Sequence, residues 1–135
     1  MAKDFYHNLV KEALEAEGWT ITHDPYSLKA WDPKWAIDLG ADRVIGAKRK
    51  NEKIAVEVKS FIQQSTSHEF HGALGQYLNY IVALEDIEQD RVLYMAVPLD
   101  IWETAFQKKG IQASLKRYEV RLGKTKKIIE WKILD

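Results

Sequence analysis

Glu57, Val58 and Lys59 close the apolar run Ile54-Ala55-Val56-Glu57-Val58-Lys59. Successive side chains of a strand alternate faces, so Glu57 and Lys59 point one way while Val56 and Val58 point the other. A carboxylate and an ammonium in a mostly apolar strand are costly unless they pair or bind an ion; a surface-facing ion pair on a half-exposed sheet is the alternative. Asp38 lies in a second such stretch, Trp35-Ala36-Ile37-Asp38-Leu39-Gly40, which is expected to pair with the first. Adjacent strands run about 4.8 Å apart, so the Asp38 and Glu57 carboxylates are within reach of one cation if the register is right. Convergent carboxylates suit a hard divalent ion such as Mg2+ or Mn2+ and leave room for water and phosphate oxygens. Beside Gly40, Asp38 also fits a turn or bulge.

Gln76 and Tyr80 stand four residues apart in a long helical pattern, on the flank of its apolar arc, where they either reach a site at the sheet edge or face solvent. His7, His23, His68 and His71 form no His-Glu-x-x-His pattern and read as structural or peripheral. There is no glycine-rich phosphate loop and no Gly-x-Ser-x-Gly. The chain has no cysteine, which excludes disulfides, thiol catalysis and Cys-based zinc sites, so a metal must be held by oxygen or imidazole.

The elements that must position these residues follow from periodicity. Asp4 to Glu17 puts Phe5, Tyr6, Leu9, Val10, Ala13 and Leu14 on one helical arc, ended by Gly18. Trp19 to His23 alternates as a short strand and stops at Asp24-Pro25. Residues 25–35 form an aromatic, ordered loop flanking the site. Ala36 to Lys48 and Lys53 to Phe61 read as an antiparallel pair linked by Arg49-Lys50-Asn51-Glu52. Ser67 to Glu88 is the longest helix, and Arg91 to Pro98 is an apolar run typical of a strand buried on both faces. Ile101 to Lys116 reads as a helix despite Gly110, followed by strands Arg117 to Leu122 and Lys127 to Ile133 around a Gly123-Lys124 turn.

At 135 residues the chain fits one domain, and 46% hydrophobic with 30% charged residues suits a globular protein that folds alone or as an oligomer. No N-terminal apolar segment or membrane-length run occurs, so a cytoplasmic location is expected. Twenty basic and twenty acidic residues cancel, so nucleic acid would have to be bound by local patches. Candidates are Lys48-Arg49-Lys50 with Lys53, Lys108-Lys109, Lys116-Arg117, and Lys124 with Lys126 and Lys127; each also reads as a solvated turn or helix end.

Asp38, eighteen intervening residues, then Glu57-Val58-Lys59 resembles the signature of the PD-(D/E)XK phosphodiesterase superfamily, whose core has the helix, three strands, helix, strand order read above. The resemblance implies an α/β (α+β) fold, a restriction-endonuclease-like core with a mixed central sheet flanked by helices, in a single domain over 1–135. It implies that Asp38 and Glu57 hold magnesium or manganese, that the Val58 peptide region adds a carbonyl ligand, and that Lys59 orients the attacking water and offsets phosphate charge. Ile37 stands where the family's leading proline would be, a proline that members often lack. Gln76 to Tyr80 resembles the Gln-x-x-x-Tyr motif of RecB-like members, and Glu12, with Glu15 as competitor, stands on the first helix where some relatives place a further acidic ligand.

A closer resemblance, over nearly the whole length, is to the cyanobacterial XisH-type proteins, the fdxN element excision controlling factors. It is carried by Gly18-Trp19-Thr20-Ile21-Thr22-His23-Asp24-Pro25, Ile37-Asp38-Leu39-Gly40-Ala41, Ile54 to Phe61, Ala73-Leu74-Gly75-Gln76-Tyr77 and Tyr94-Met95-Ala96-Val97-Pro98. That similarity implies programmed DNA excision alongside a site-specific recombinase and a small XisI-type partner. The expected chemistry is metal-dependent hydrolysis of a DNA phosphodiester. The rival expectations are a non-catalytic recombination accessory protein that binds DNA or a partner, and a plain interaction module.

Overall fold

A computed structural model describes the backbone of residues 2–45, 50–61, 66–125 and 129–133, and the side chains of 5–44, 51–61 and 67–123. The chain runs α1 (Ala2–Ala16), β1 (Thr20–His23), β2 (Tyr26–Ser27), β3 (Ala36–Ile37), β4 (Leu39–Ile45), β5 (Lys50–Val58), α2 (Thr66–Ile87), β6 (Val92–Pro98), α3 (Leu99–Glu103), a 3-10 turn (Ala105–Gln107), α4 (Lys109–Arg117), β7 (Arg121–Thr125) and β8 (Ile129–Ile133). Six strands form one mixed sheet in the order β1-β4-β5-β6-β7-β8, and β2 with β3 forms a separate two-stranded sheet. The pairs β5–β6 and β6–β7 are parallel and are joined by the helical crossovers that parallel strands require. Among the described residues no helix is long and apolar enough to cross a membrane.

Strand alternation divides the core in two. Ile54 and Val56 of β5, with Leu39 and Ala41 of β4, meet Tyr6, Val10, Ala13 and Leu14 of α1. Ala55, with Leu93, Met95 and Val97, meets Phe70, Ala73, Tyr77, Tyr80 and Leu84 of α2 on the other face. Glu57 has the parity of Ala55 and therefore faces the α2 layer. Tyr77 is fully buried there; its hydroxyl donates to the Leu93 carbonyl and accepts from the Arg121 amide, both at 3.1 Å.

Helix ends follow backbone chemistry. Gly18, at φ 91°, closes α1 with its amide on the Glu15 carbonyl and that of Trp19 on the Leu14 carbonyl. The same paired bonds close α4, from Glu119 to Lys116 and from Val120 to Leu115, but the left-handed residue is Glu119 at φ 53°. A glutamate gives no signal of such a stop, which is why the strand expected from Arg117 begins only at Arg121.

Three other expectations shift. The single helix expected over Ile101 to Lys116 is broken into α3, the 3-10 turn and α4. Ile101, Phe106 and Ile111 are five residues apart, about 140° of rotation at each step on an unbroken helix. The two breaks re-phase the chain so that Phe106 and Ile111 both reach the core. Lys50 to Glu52, expected in the hairpin link, belong to β5, where Glu52 pairs across the ladder with Arg43 and bonds its guanidinium at 2.8 and 3.1 Å. Gly123 and Lys124, expected as a turn, belong to β7.

The stretch expected as one strand over Ala36 to Lys48 breaks at a single residue, Asp38. On its N-terminal side Ile37 pairs with Tyr26 in the small sheet; on its C-terminal side Leu39 pairs with Val56 in the large one.

Candidate active site

Asp38 stands where the chain passes from one sheet to the other, and its own groups complete the β5 edge. Its Oδ2 accepts the Val58 amide hydrogen at 2.7 Å, and its amide donates to Glu57 Oε1 at 3.2 Å. The antiparallel ladder that would have satisfied Val58 ends at Leu39, and the Asp38 carboxylate takes its place. Beyond Val58 the Lys59 amide bonds the Ala96 carbonyl, so the strand end stays tied to β6. The chain then turns at Phe61, whose φ of 54° is held by a buried ring packed edge-on at 5.1 Å against Phe106.

Glu57 is 5% exposed and Lys59 Nζ lies 3.4 Å from its Oε2. Burial pushes the Glu57 carboxyl up to about 8, the Asp38 charge adds to the rise, and Lys59 opposes it. At neutral pH Glu57 therefore retains its proton, and a cation would have to displace it.

From α2, the buried Tyr80 lies within the field of the Asp38–Glu57 pair. Burial raises its hydroxyl pKa, the Glu57 and Asp38 charges raise it further, and a hydrogen bond from Gln76 opposes them. Gln76 Oε1 is buried with no hydrogen-bond partner among the described residues. Trp35, at the end of the aromatic loop, packs edge-on against Tyr80 with centroids 5.8 Å apart.

The structure thus brings Asp38, Glu57, Val58, Lys59, Gln76 and Tyr80 together at the C-terminal end of β5. Among the described residues no cluster of three or more His, Cys, Asp or Glu side chains forms, so the protein offers a cation two carboxylates and not a closed cage.

A model of the XisH protein family matches residues 1–129. The chain belongs to the XisH family. Two crystal structures are similar over nearly all of it. One is an XisH family protein from Nostoc punctiforme PCC 73102, 37% identical, with a TM-score of 0.79, covering 93% of this chain and 97% of its own. The other is a fdxN element excision controlling factor protein from Anabaena variabilis, 37% identical, with a TM-score of 0.81, covering 98% of this chain and 99% of its own. No curated protein matches.

The remaining candidates of this XisH chain lie elsewhere. Glu12 and Glu15 are exposed on α1, a helix that covers the opposite face of the sheet from Glu57. His7 binds Asp24 at 2.9 Å, His23 packs on Tyr26 with ring centroids 4.7 Å apart, and His68 and His71 are exposed on α2. Lys53 pairs with Glu88 at 3.2 Å and Asp90 at 3.8 Å, while Lys108, Lys109, Lys116 and Arg117 are exposed. The side chains of Lys48, Arg49, Lys50, Lys124, Lys126 and Lys127 lie outside the described residues.

Sequence reasoning did not find the cluster behind Asp38, formed by Tyr26, Glu88 and Arg91. Tyr26 Oη donates to Glu88 Oε1 at 2.7 Å, and Arg91 Nε donates to the same oxygen at 2.7 Å. Tyr26 lies 62 positions from Glu88 and 65 from Arg91, and no local pattern links it to that i,i+3 ion pair.

Proposed function

We propose that this XisH-family protein acts in the controlled excision of a DNA element, and that its Asp38–Glu57–Lys59 site hydrolyses a DNA phosphodiester with bound Mg2+ or Mn2+. The observation that carries this reading is the facing pair itself. Two carboxyl groups meet at the end of a central strand, one of them 5% exposed, with an ammonium 3.4 Å away. Such a pair is unfavourable without a proton or a cation between its members. The order α1, then the large-sheet strands β1, β4 and β5, then α2 and β6 supports a PD-(D/E)XK core, and the fdxN excision controlling factor among its relatives supports the biological role.

The donor set fits a hard cation: two carboxylates, the Val58 carbonyl as a further oxygen, and remaining positions for water and phosphate. When bound, the cation would neutralise developing charge and polarise a phosphate oxygen. Asp38 and Glu57 would hold it. Lys59, kept beside Glu57, would orient the attacking water and offset charge on the scissile phosphate. Tyr80 and Gln76 would position the substrate from α2, with the buried Gln76 oxygen as an acceptor. DNA is the substrate, and a site-specific recombinase and an XisI-type protein are the implied partners; a homo-oligomer is compatible with this role.

The name of the Anabaena variabilis relative, a controlling factor, favours a second reading, in which the fold is kept for binding DNA or a partner without cleavage. Incubating nicked, flapped, single-stranded and duplex DNA with Mg2+ or Mn2+, with and without the XisI-type partner, separates the two. Cleavage that is lost in Glu57→Gln supports hydrolysis, and no cleavage of any substrate supports the accessory role.

A further inference from the structure

Asp38 is a single residue between two sheets, and nothing within a strand ladder fixes its own conformation. One residue, Tyr26, meets both of its flanks. Tyr26 pairs with Ile37 on one side, and on the other its ring lies against Gly40, where an added Cβ would come 3.0 Å from Tyr26 Cδ2 and 3.0 Å from His23 Nδ1. Tyr26 therefore meets the chain on both sides of Asp38, through its backbone at Ile37 and through its ring at Gly40.

The Tyr26 ring is held from behind. The Arg91 guanidinium carbon lies 4.9 Å from the Tyr26 ring centroid, and the Tyr26 hydroxyl donates to Glu88 at 2.7 Å. Glu88 also receives Arg91 at 2.7 and 3.2 Å and Lys53 at 3.2 Å. Arg91, with its side chain 3% exposed, donates further to Asp42 at 3.0 Å and to the Ile54 carbonyl at 2.9 Å. The cluster binds the end of α2 to β2, β4, β5 and the start of β6. Apolar residues of similar volume would stabilise the fold as well as a buried ionic cluster does. What the cluster adds is direction, because every bond in it has a fixed geometry.

We infer that Tyr26, held by Glu88 and Arg91, is the positioning residue that sets the Asp38 carboxylate on the Val58 amide, and so prepares the carboxylate pair for a cation; its consequence for the cation rests on the function proposed above. Tyr26 touches no substrate. It acts through Ile37 and Gly40 on Asp38.

The test uses the whole chain and reads the Val58 amide directly by 15N NMR, alongside calorimetry with Mn2+. In Tyr26→Phe the ring stays and the bond to Glu88 is lost. The Val58 amide is expected to shift upfield and to exchange its hydrogen about tenfold faster. Mn2+ affinity is expected to fall by about tenfold, the low end of what supporting partners behind a metal ligand contribute. Gly40→Ala, which pushes on the ring from the other side, is expected to move the same amide. Leu115→Ala, a fully buried residue of α4 in the core that Val58 does not join, is expected to lower the melting temperature and leave the Val58 amide in place. If wild-type protein binds no Mn2+ and the amide still responds to Tyr26→Phe and Gly40→Ala, the cation reading fails and the positioning role stands. If both variants lose stability while the Val58 amide keeps its shift and exchange rate, Tyr26 serves only the fold and the inference is overturned.

Discussion

Asp38 donates its backbone amide to the Glu57 carboxylate at 3.2 Å, while its own carboxylate caps the next amide along β5, that of Val58, at 2.7 Å. The two acidic residues are therefore held together by main-chain amides, against the repulsion of their charges. A residue that ends one small sheet is made part of the edge of another, and the chemistry of the site depends on that junction.

The first prediction concerns pH. The ordinary Glu57 value of 4.5 rises to about 8 in the folded protein, chiefly through burial. A raised carboxyl contributes stability that is fully present below about pH 4.5 and is lost as pH rises through about 8. Without cation, wild type is expected to lose stability across that window and Glu57→Gln to lack the slope. Chemical denaturation at pH 5, 7 and 9 checks this. Binding of Mn2+ at pH 7 is expected to release a proton, seen as a dependence of the calorimetric heat on buffer ionisation enthalpy.

Glu88 titrates in the opposite direction. Its hydrogen bonds with Arg91 pull its carboxyl from 4.5 down to about 2, with Tyr26 and Lys53 adding to the shift. The stability it contributes is present above about pH 4.5 and is lost as pH falls towards about 2. Melting curves between pH 5 and 2.5 are expected to fall more steeply for wild type than for Glu88→Gln. Parallel curves would show that the cluster contributes nothing to acid stability.

Tyr77 makes a purely structural prediction. Its fully buried hydroxyl serves the Leu93 carbonyl and the Arg121 amide, so Tyr77→Phe leaves both without that partner. A loss of about 1–3 kcal/mol is expected from urea unfolding, with the sheet order unchanged. A change within error would show that the hydroxyl contributes nothing net.

Much of this arrangement is legible in the sequence because strands alternate. The apolar run around Glu57 and Lys59 fixes their common face, and a second carboxylate in the neighbouring apolar stretch directs attention to Asp38. The α1 stop is legible because Gly18 supplies the left-handed residue. The α4 stop is not, because Glu119 takes the same conformation without any compositional sign. The break at Asp38 is hidden for a similar reason: Ala36 to Lys48 reads as one strand, and only the pairing of Ile37 with Tyr26 shows that it changes sheets. Tyr26 joins the local Glu88–Arg91 pair by tertiary contact alone, which periodicity does not carry.

Lys59 separates catalysis from binding. If the ammonium acts on the attacking water and the phosphate, Lys59→Ala is expected to lower turnover by about 100-fold. DNA affinity is expected to change little, since one phosphate contact is a small part of a DNA-binding surface. Single-turnover cleavage together with equilibrium DNA binding reads both quantities. Equal loss in the two would place Lys59 in binding and not in the chemical step.

The central claim is that Asp38 and Glu57 hold one divalent cation between them, and titration calorimetry with Mn2+ at pH 8 tests it most directly. Wild type is expected to bind one ion per chain. Asp38→Asn and Glu57→Gln, each shown to be folded by circular dichroism, are expected to lose that binding, because oxygen ligation of a hard cation depends on the ligand charge. Binding that is absent in wild type, or unchanged in both variants, would contradict the account.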